Sequence, residues 1–433
     1  MKRINRRRKL FPFYYGWAIV AAAFMERIVS MGVYNNMGIF FKPIMADFGW
    51  NRAQTAGAFS AAGLLTGGLS PFWGAQADKY GPRLFIMVEA ISLAAGYILI
   101  SQMNSLWQFY LFFVLFIGIG QSVSTTTILS TLPRWFEAKR GMVQGIVQSG
   151  AGLGIGLAPL LLTYLILNHN WRLAFLVSGL MIGGIVFMVA WIFRRSPQDM
   201  GILPDGKPVS LDDTKRGSES SSKSNKASAN SSKTFTFREA LSTHNLRKLL
   251  FVTMAAGFAH ILIVTHLVPY ATDIGFSPTV AATFMVVIGL ANALSKIILG
   301  LASDRVGRRA ALAFCFGLAA IMFVLLMTTK GLWALYIFAA GFGFAYGGWL
   351  PLFPAISADL FGVRSLGAIY GLTNASSAVG GALGGFMGGY IFDSTQSYSY
   401  AFLISEMLLL VAFALLLSLK IQGKDNHDVG SHI

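Results

Sequence analysis

The sequence predicts an all-α membrane protein with twelve transmembrane helices in two pseudo-symmetric six-helix bundles. Three observations predict it. Of 433 residues, 55% are hydrophobic and only 12% charged, about half the charge a water-soluble domain carries. A short motif occurs twice, as GAQADKYGPR at residues 74–83 and GLASDRVGRR at residues 300–309. Gly74, Asp78, Gly81 and Arg83 in the first copy answer Gly300, Asp304, Gly307 and Arg309 in the second, each pair 226 residues apart. Between the copies, the Ser/Lys/Asn-rich run SESSSKSNKASANSSK has almost nothing to bury and reads as a disordered linker. It divides an N-terminal bundle, residues 1–193, from a C-terminal bundle, residues 247–433, with the linker at 194–246.

Crossing the hydrocarbon core takes about 20 apolar residues. Such stretches fall at 14–36, 54–76, 84–102, 107–128, 142–166, 171–193, 247–270, 280–302, 310–329, 332–357, 366–392 and 398–419. The first follows the basic MKRINRRRKL but lacks a small-residue cleavage site, so it reads as a retained helix. The loops then assign sides. Of the 34 Lys and Arg residues, 28 fall in the termini and the alternate loops that share their side, and four (Lys42, Arg52, Arg172, Lys330) on the other. Both termini are expected in the cytoplasm of a multi-pass plasma-membrane protein. The net charge of +16 is thus a topology signal and not a nucleic-acid surface. Residues 235–246 suggest a short helix on the membrane surface, with Phe235 and Phe237 facing lipid. The glycine runs GAGLGIG and GGALGGFMGG allow helices to pack closely.

Chemistry is sparse and localised. The single Cys315 offers neither a disulfide nor a metal cluster. No phosphate loop follows a strand, and no nucleophile and base pair stands out, so no cofactor, nucleotide or enzymatic activity is expected. A duplicated membrane chain instead suits secondary transport, in which two similar bundles rock about a site between them. In each motif copy the glycines let helix ends approach, and the Asp and Arg can latch the cytoplasmic side. Lys296, inside GLANALSKIILG of the eighth span, is costly in hydrocarbon and should face a wet cavity, where an ammonium attracts an anion. Asn292 shares its helix face one turn earlier. Asn374 in the eleventh span and Tyr34 at the end of the first are further polar candidates for substrate. Glu26 and Arg27 are adjacent in the first span, Arg27 as a second anion contact and Glu26 as a proton carrier or a counter-charge. His260 and His266 stand on the seventh span, where Pro269 suggests a bend bringing His266 to the cavity. Asp273 lies at the outer mouth as a gate partner. The proton-coupling candidates are Lys296, His266, Glu26 and Asp273. Glu89 and Glu406 read as structural, peripheral acids.

The G-x-x-x-D-x-x-G-x-R loops resemble the signature loop of the major facilitator superfamily, and the resemblance covers the whole chain. Within it, YYGWAIV (14–20), FGWNRA (48–53), RWFEAKRGMVQGIVQSGAGLG (134–154) and HLVPYATDIGFSP (266–278) resemble the monocarboxylate and oxalate/formate transporter branch. The fifth-helix segment GIGLAPLLL lacks the Gly-Pro-x-x-Gly-Gly pattern of drug/proton antiporters. In that branch an Arg at the position of Lys296 binds substrate carboxylate, and animal members carry an Asp where this chain has Asn292. Oxalate exchangers add a Lys in the eleventh helix, where this chain has Ser377. The resemblance implies alternating access with a small carboxylate and a proton as partners. One cavity cation suits a monocarboxylate (lactate, pyruvate or formate) moved by proton symport through a monomer. Carboxylate exchange, or a membrane sensor that moves nothing, are the alternatives.

Overall fold

The computed structural model describes residues 14–136, 140–200, 202–206, 237–362 and 366–419. All regular structure in these residues is helical. Twelve long helices follow the predicted spans: α1 (Gly16–Tyr34), α2 (Arg52–Tyr80), α3 (Pro82–Ser101), α4 (Leu106–Trp135), α5 (Arg140–Asn168) and α6 (Trp171–Ala190). After the linker come α7 (His244–Asp273), α8 (Pro278–Val306), α9 (Arg308–Thr328), α10 (Leu332–Phe361), α11 (Leu366–Thr395) and α12 (Ser399–Leu417). Most of the predicted linker lies outside the described residues. Phe235 does too, and of the expected surface helix the structure describes Phe237–Ser242, followed by a break at Thr243, whose side chain caps α7 by accepting from Leu246 N–H.

Ten of the twelve helices are long and apolar enough to cross a membrane on composition alone, and α2 and α11 are the two that fall short. Their dilution with Gly, Ser and Thr has a structural reason: one face of each packs against the other at the centre of the molecule. The helix starts follow local rules. Asn51 and Gln54 cap α2 reciprocally, the Asn51 side chain accepting from Gln54 N–H at 2.8 Å and the Gln54 side chain from Asn51 N–H at 3.0 Å. Ser277 caps α8 ahead of Pro278 at its first position.

The duplicated motif shapes two equivalent corners. Gly81 ends α2 and begins α3 with φ 90° and ψ 155°, and Gly307 does the same between α8 and α9 with φ 93° and ψ 139°. Only glycine enters that region freely. Each corner is tied down by its arginine. The Arg83 guanidinium lies 3.6 Å from the Trp191 ring centroid at the end of α6, while Arg309 donates to the Leu417 and Leu419 carbonyls, at 2.5 and 2.8 Å, at the end of α12. Trp191 and Leu417 are themselves 226 residues apart, so the repeat extends to the arginine's anchoring point.

Two seams join the first six helices to the last six: α5 against α8, and α2 against α11. In the first seam the backbones nearly touch. A side chain on Gly289 would run into the backbone of Gly156 and the Gly152 carbonyl, so the GAGLGIG run forms the close contact expected of it.

Candidate functional site

Two adjoining cavities of about 180 and 250 Å³ occupy the middle of the molecule. They share Tyr34 of α1, Thr66 of α2, Gly257 and His260 of α7, and Asn374 and Ser377 of α11. The larger is walled also by Gln121 of α4, Tyr346, Trp349 and Phe353 of α10, and Tyr370 of α11. At about 30 Å³ per water, this is space for a small organic anion with part of its hydration. The lining is aromatic and hydroxyl- or amide-bearing, and none of it is an acid.

Of the residues singled out from sequence, Tyr34 and Asn374 line both cavities. His260, the less favoured of the two histidines, does as well. Its ring stacks on Tyr346 at 3.9 Å, and its Nε2 is buried without a hydrogen-bond partner. Sequence reasoning underrated it because the bend at Pro269 pointed to its neighbour. Asn292 is fully buried in α8, with both amide atoms unpartnered.

The cations stand behind the cavity wall. Lys296 is 5% exposed, and its Nζ reaches across the α5–α8 seam to donate to the Gln148 carbonyl at 2.7 Å. That partner is neutral, and among the described residues no acid forms an ion pair with Lys296. Arg27, 2% exposed, donates from Nη2 to the Ser124 carbonyl at 3.2 Å, and its Nε lies 3.6 Å from Glu26 Oε2. Adjacent in sequence, Glu26 and Arg27 thus pair through their side-chain ends, and the Ser124 hydroxyl adds a 2.6 Å bond to Glu26. Two further hydroxyls of that α4 segment bond backbone, Ser122 to Ile119 and Thr126 to Ser122, while the Thr127 hydroxyl is buried without a partner.

His266 and Asp273 sit elsewhere, at the membrane face opposite the motif loops, in a closure between the halves. The expected approach of His266 to the cavity is not what the structure shows. Its Nε2 faces the Gly385 carbonyl at 2.8 Å and its Nδ1 the Tyr398 hydroxyl at 3.2 Å. A carbonyl only accepts, so Nε2 carries the proton and Nδ1 accepts from Tyr398. Tyr398 in turn accepts from Arg52. Asp273 binds Lys42 and Arg52, each at 2.7 Å. Asp393 at the end of α11 accepts from the N–H groups of Arg52 and Ala53, at 3.1 and 2.8 Å, and so occupies the positive end of α2. The Arg52 guanidinium also covers the Phe392 ring at 3.6 Å. Lys42, Arg52 and Ala53 belong to the first half, and every partner named here to the second.

At the motif face, the described contacts of Arg83 and Arg309 stay within their own halves. The side chains of Asp78 and Asp304 lie outside the described residues. Gly74 and Gly300 fall within α2 and α8, and a side chain on Gly300 would meet nothing within 4 Å.

The Major Facilitator Superfamily model matches residues 22–290 and 249–430. The chain is 25% identical over 405 residues to the oxalate:formate antiporter of Oxalobacter formigenes, covering 92% of this chain and 90% of the antiporter. It is 25% identical over 418 residues to human monocarboxylate transporter 12, covering 93% and 80% respectively. Its fold is similar to the crystal structure of a bacterial homologue of the human lysosomal transporter Spinster in an inward-facing and unoccupied conformation, with a TM-score of 0.69 at 16% identity over 93% of this chain and 96% of that one.

Proposed function

The chain belongs to the Major Facilitator Superfamily, and from that premise we propose that it carries a small monocarboxylate across the plasma membrane together with a proton, by alternating access. It is a transporter of that superfamily, related to monocarboxylate transporters and to an oxalate:formate antiporter, and not an enzyme. One observation carries the choice of cargo. Lys296, a buried cation whose described partner is a neutral backbone carbonyl, stands behind the lining of an acid-free central cavity, with Arg27 in the opposite half held by Glu26 and the Ser124 carbonyl. A cavity backed by a buried cation without an acidic partner selects anions, because an opposite charge repays the cost of burying that cation.

In this reading the motif face is cytoplasmic, and the opposite closure through Arg52, Asp273, Asp393 and Tyr398 is the outer gate. A carboxylate arriving at the cavity meets Tyr34, His260 and Asn374, and draws on Lys296, whose hold on a neutral carbonyl is easily exchanged for a charged partner. The motif loops latch the inner side when the halves rock the other way. The bundles are residues 1–193 and 247–433, and one copy of the chain suffices. Counterflow in proteoliposomes, with labelled lactate, pyruvate, formate and oxalate offered in turn, tests the cargo. Exchange of one or more monocarboxylates is expected, and transport confined to oxalate overturns it.

A further inference from the structure

We propose that His266 is a proton-operated switch: a proton taken up on its Nδ1 breaks the closure opposite the motif loops and opens that face. Which side of the membrane the face meets rests on the transport reading above; the switch itself does not.

His266 is fully buried, and elements of both halves bury it. From the second half, its Nε2–H donates to the Gly385 carbonyl at 2.8 Å, and a side chain on Gly388 would run into the imidazole. From the first half, the Phe41 ring meets it edge to face with centroids 5.6 Å apart. Gly38 lies so close to α7 that a side chain there would strike the Thr265 carbonyl. The Tyr398 hydroxyl lies 3.2 Å from Nδ1 and is also the acceptor for Arg52. The line Arg52, Tyr398, His266, Gly385 therefore crosses from one half to the other with every donor facing an acceptor. It requires an Nδ1 without a proton.

The charges around the ring balance in that state. The titratable and charged groups about it are Tyr270 and Asp273 of α7, Lys42 of the segment after α1, Arg52 of α2, Asp393 of α11 and Tyr398 ahead of α12. Two cations meet two acids, and each carboxylate oxygen is engaged: those of Asp273 by Lys42 and Arg52, those of Asp393 by the N–H groups of Arg52 and Ala53. A proton on Nδ1 adds a cation beyond that balance. It also sets two donors, Nδ1–H and the Tyr398 O–H, against each other. Imidazolium and guanidinium then compete for one phenol oxygen in a buried site, where like charges repel strongly.

Relief comes from parting Arg52 from Tyr398, a contact that joins the halves. With the first half withdrawn, water reaches the imidazolium and stabilises it. Proton binding and opening thus favour each other by linkage. Closing expels the proton to the side it came from, so His266 senses acid there and carries no proton across.

Spin labels on Gln102→Cys and Thr328→Cys, with Cys315 replaced by Ser, report the opening. Both positions are exposed, lie at the ends of α3 and α9 away from the motif loops, and are 226 residues apart in the repeat. Double electron–electron resonance on the full chain in lipid nanodiscs, without substrate, is compared at about pH 7.5 and about pH 5.5. An imidazole that titrates near its ordinary value of about 6.5 only in the open state raises the open-to-closed ratio about tenfold between these values, while ordinary carboxylates, titrating near about 4, stay ionised. The long-distance population should grow accordingly in the parent and stay constant in His266→Gln, which keeps a donor for the Gly385 carbonyl and cannot gain a proton. A parent with the same distances at both values overturns the switch, and that result needs no variant to fold. An acid response that survives in His266→Gln, or in His266→Asn should the Gln variant fail to fold, belongs to another group and overturns it as well. No substrate is present, so a failure of lactate to exchange would overturn the cargo assignment and leave the switch standing.

Discussion

Lys296 spends its charge on a backbone carbonyl of the opposite half, which makes it both a clasp across the α5–α8 seam and a cation in reserve. A hydrogen bond from a charged group contributes about 1.5–3 kcal/mol, which is about 10- to 100-fold in affinity if the bond is to substrate. Lys296→Ala should therefore weaken lactate binding by about that factor, measured by calorimetry or substrate-protected labelling. Lys296→Arg should retain part of it, because the charge persists while the geometry changes. The residue scale is also where sequence was least legible. That Tyr34 and Asn374 could meet substrate followed from polar groups placed in apolar helices. Which histidine faces the cavity did not, because His260 and His266 lie six residues apart on one helix and only the packing of α10 and α11 decides between them.

At the scale of elements, the repeated motif acts through backbone as well as charge. Gly81 and Gly307 hold a conformation that costs other residues about 1–3 kcal/mol, and a methyl group at Gly307 would meet no neighbouring atom within 4 Å. Gly307→Ala should thus destabilise the protein by about that amount through the backbone alone, seen as a lowered unfolding temperature in detergent. Gly300→Ala, in the same motif but inside α8, should be neutral or slightly stabilising in the same measurement, since alanine favours helix by about 0.5–1 kcal/mol. The twelve spans were legible because length and hydropathy leave little choice. Helices α2 and α11 were read from their apolar stretches at 54–76 and 366–392 even though their composition falls short of the other ten. Helix ends were less legible: α2 runs to Tyr80, beyond the apolar stretch at 54–76.

For the whole molecule, the closure opposite the motif loops joins the halves through charge. Asp273 answers two cations of the first half, and Asp393 caps α2 from the second. Asp273→Asn should weaken this closure and raise the share of molecules open on that side. With Cys315 replaced by Ser and a thiol introduced by Ser60→Cys in the cavity wall, maleimide applied from that side should label the Asp273→Asn protein several-fold faster than its parent. Equal rates would show that the closure does not depend on this acid. A tertiary gate of this kind could be placed in sequence only as far as Asp273 lying near an outer mouth, because its partners are more than 200 residues away in the chain.

The most direct test of the account is accumulation of labelled lactate in proteoliposomes under an imposed proton gradient, with no other driving force. Lactate concentrated inside vesicles when the interior is alkaline, and released by a protonophore, is the predicted result. Exchange of lactate across the membrane with no accumulation under any proton gradient would contradict it.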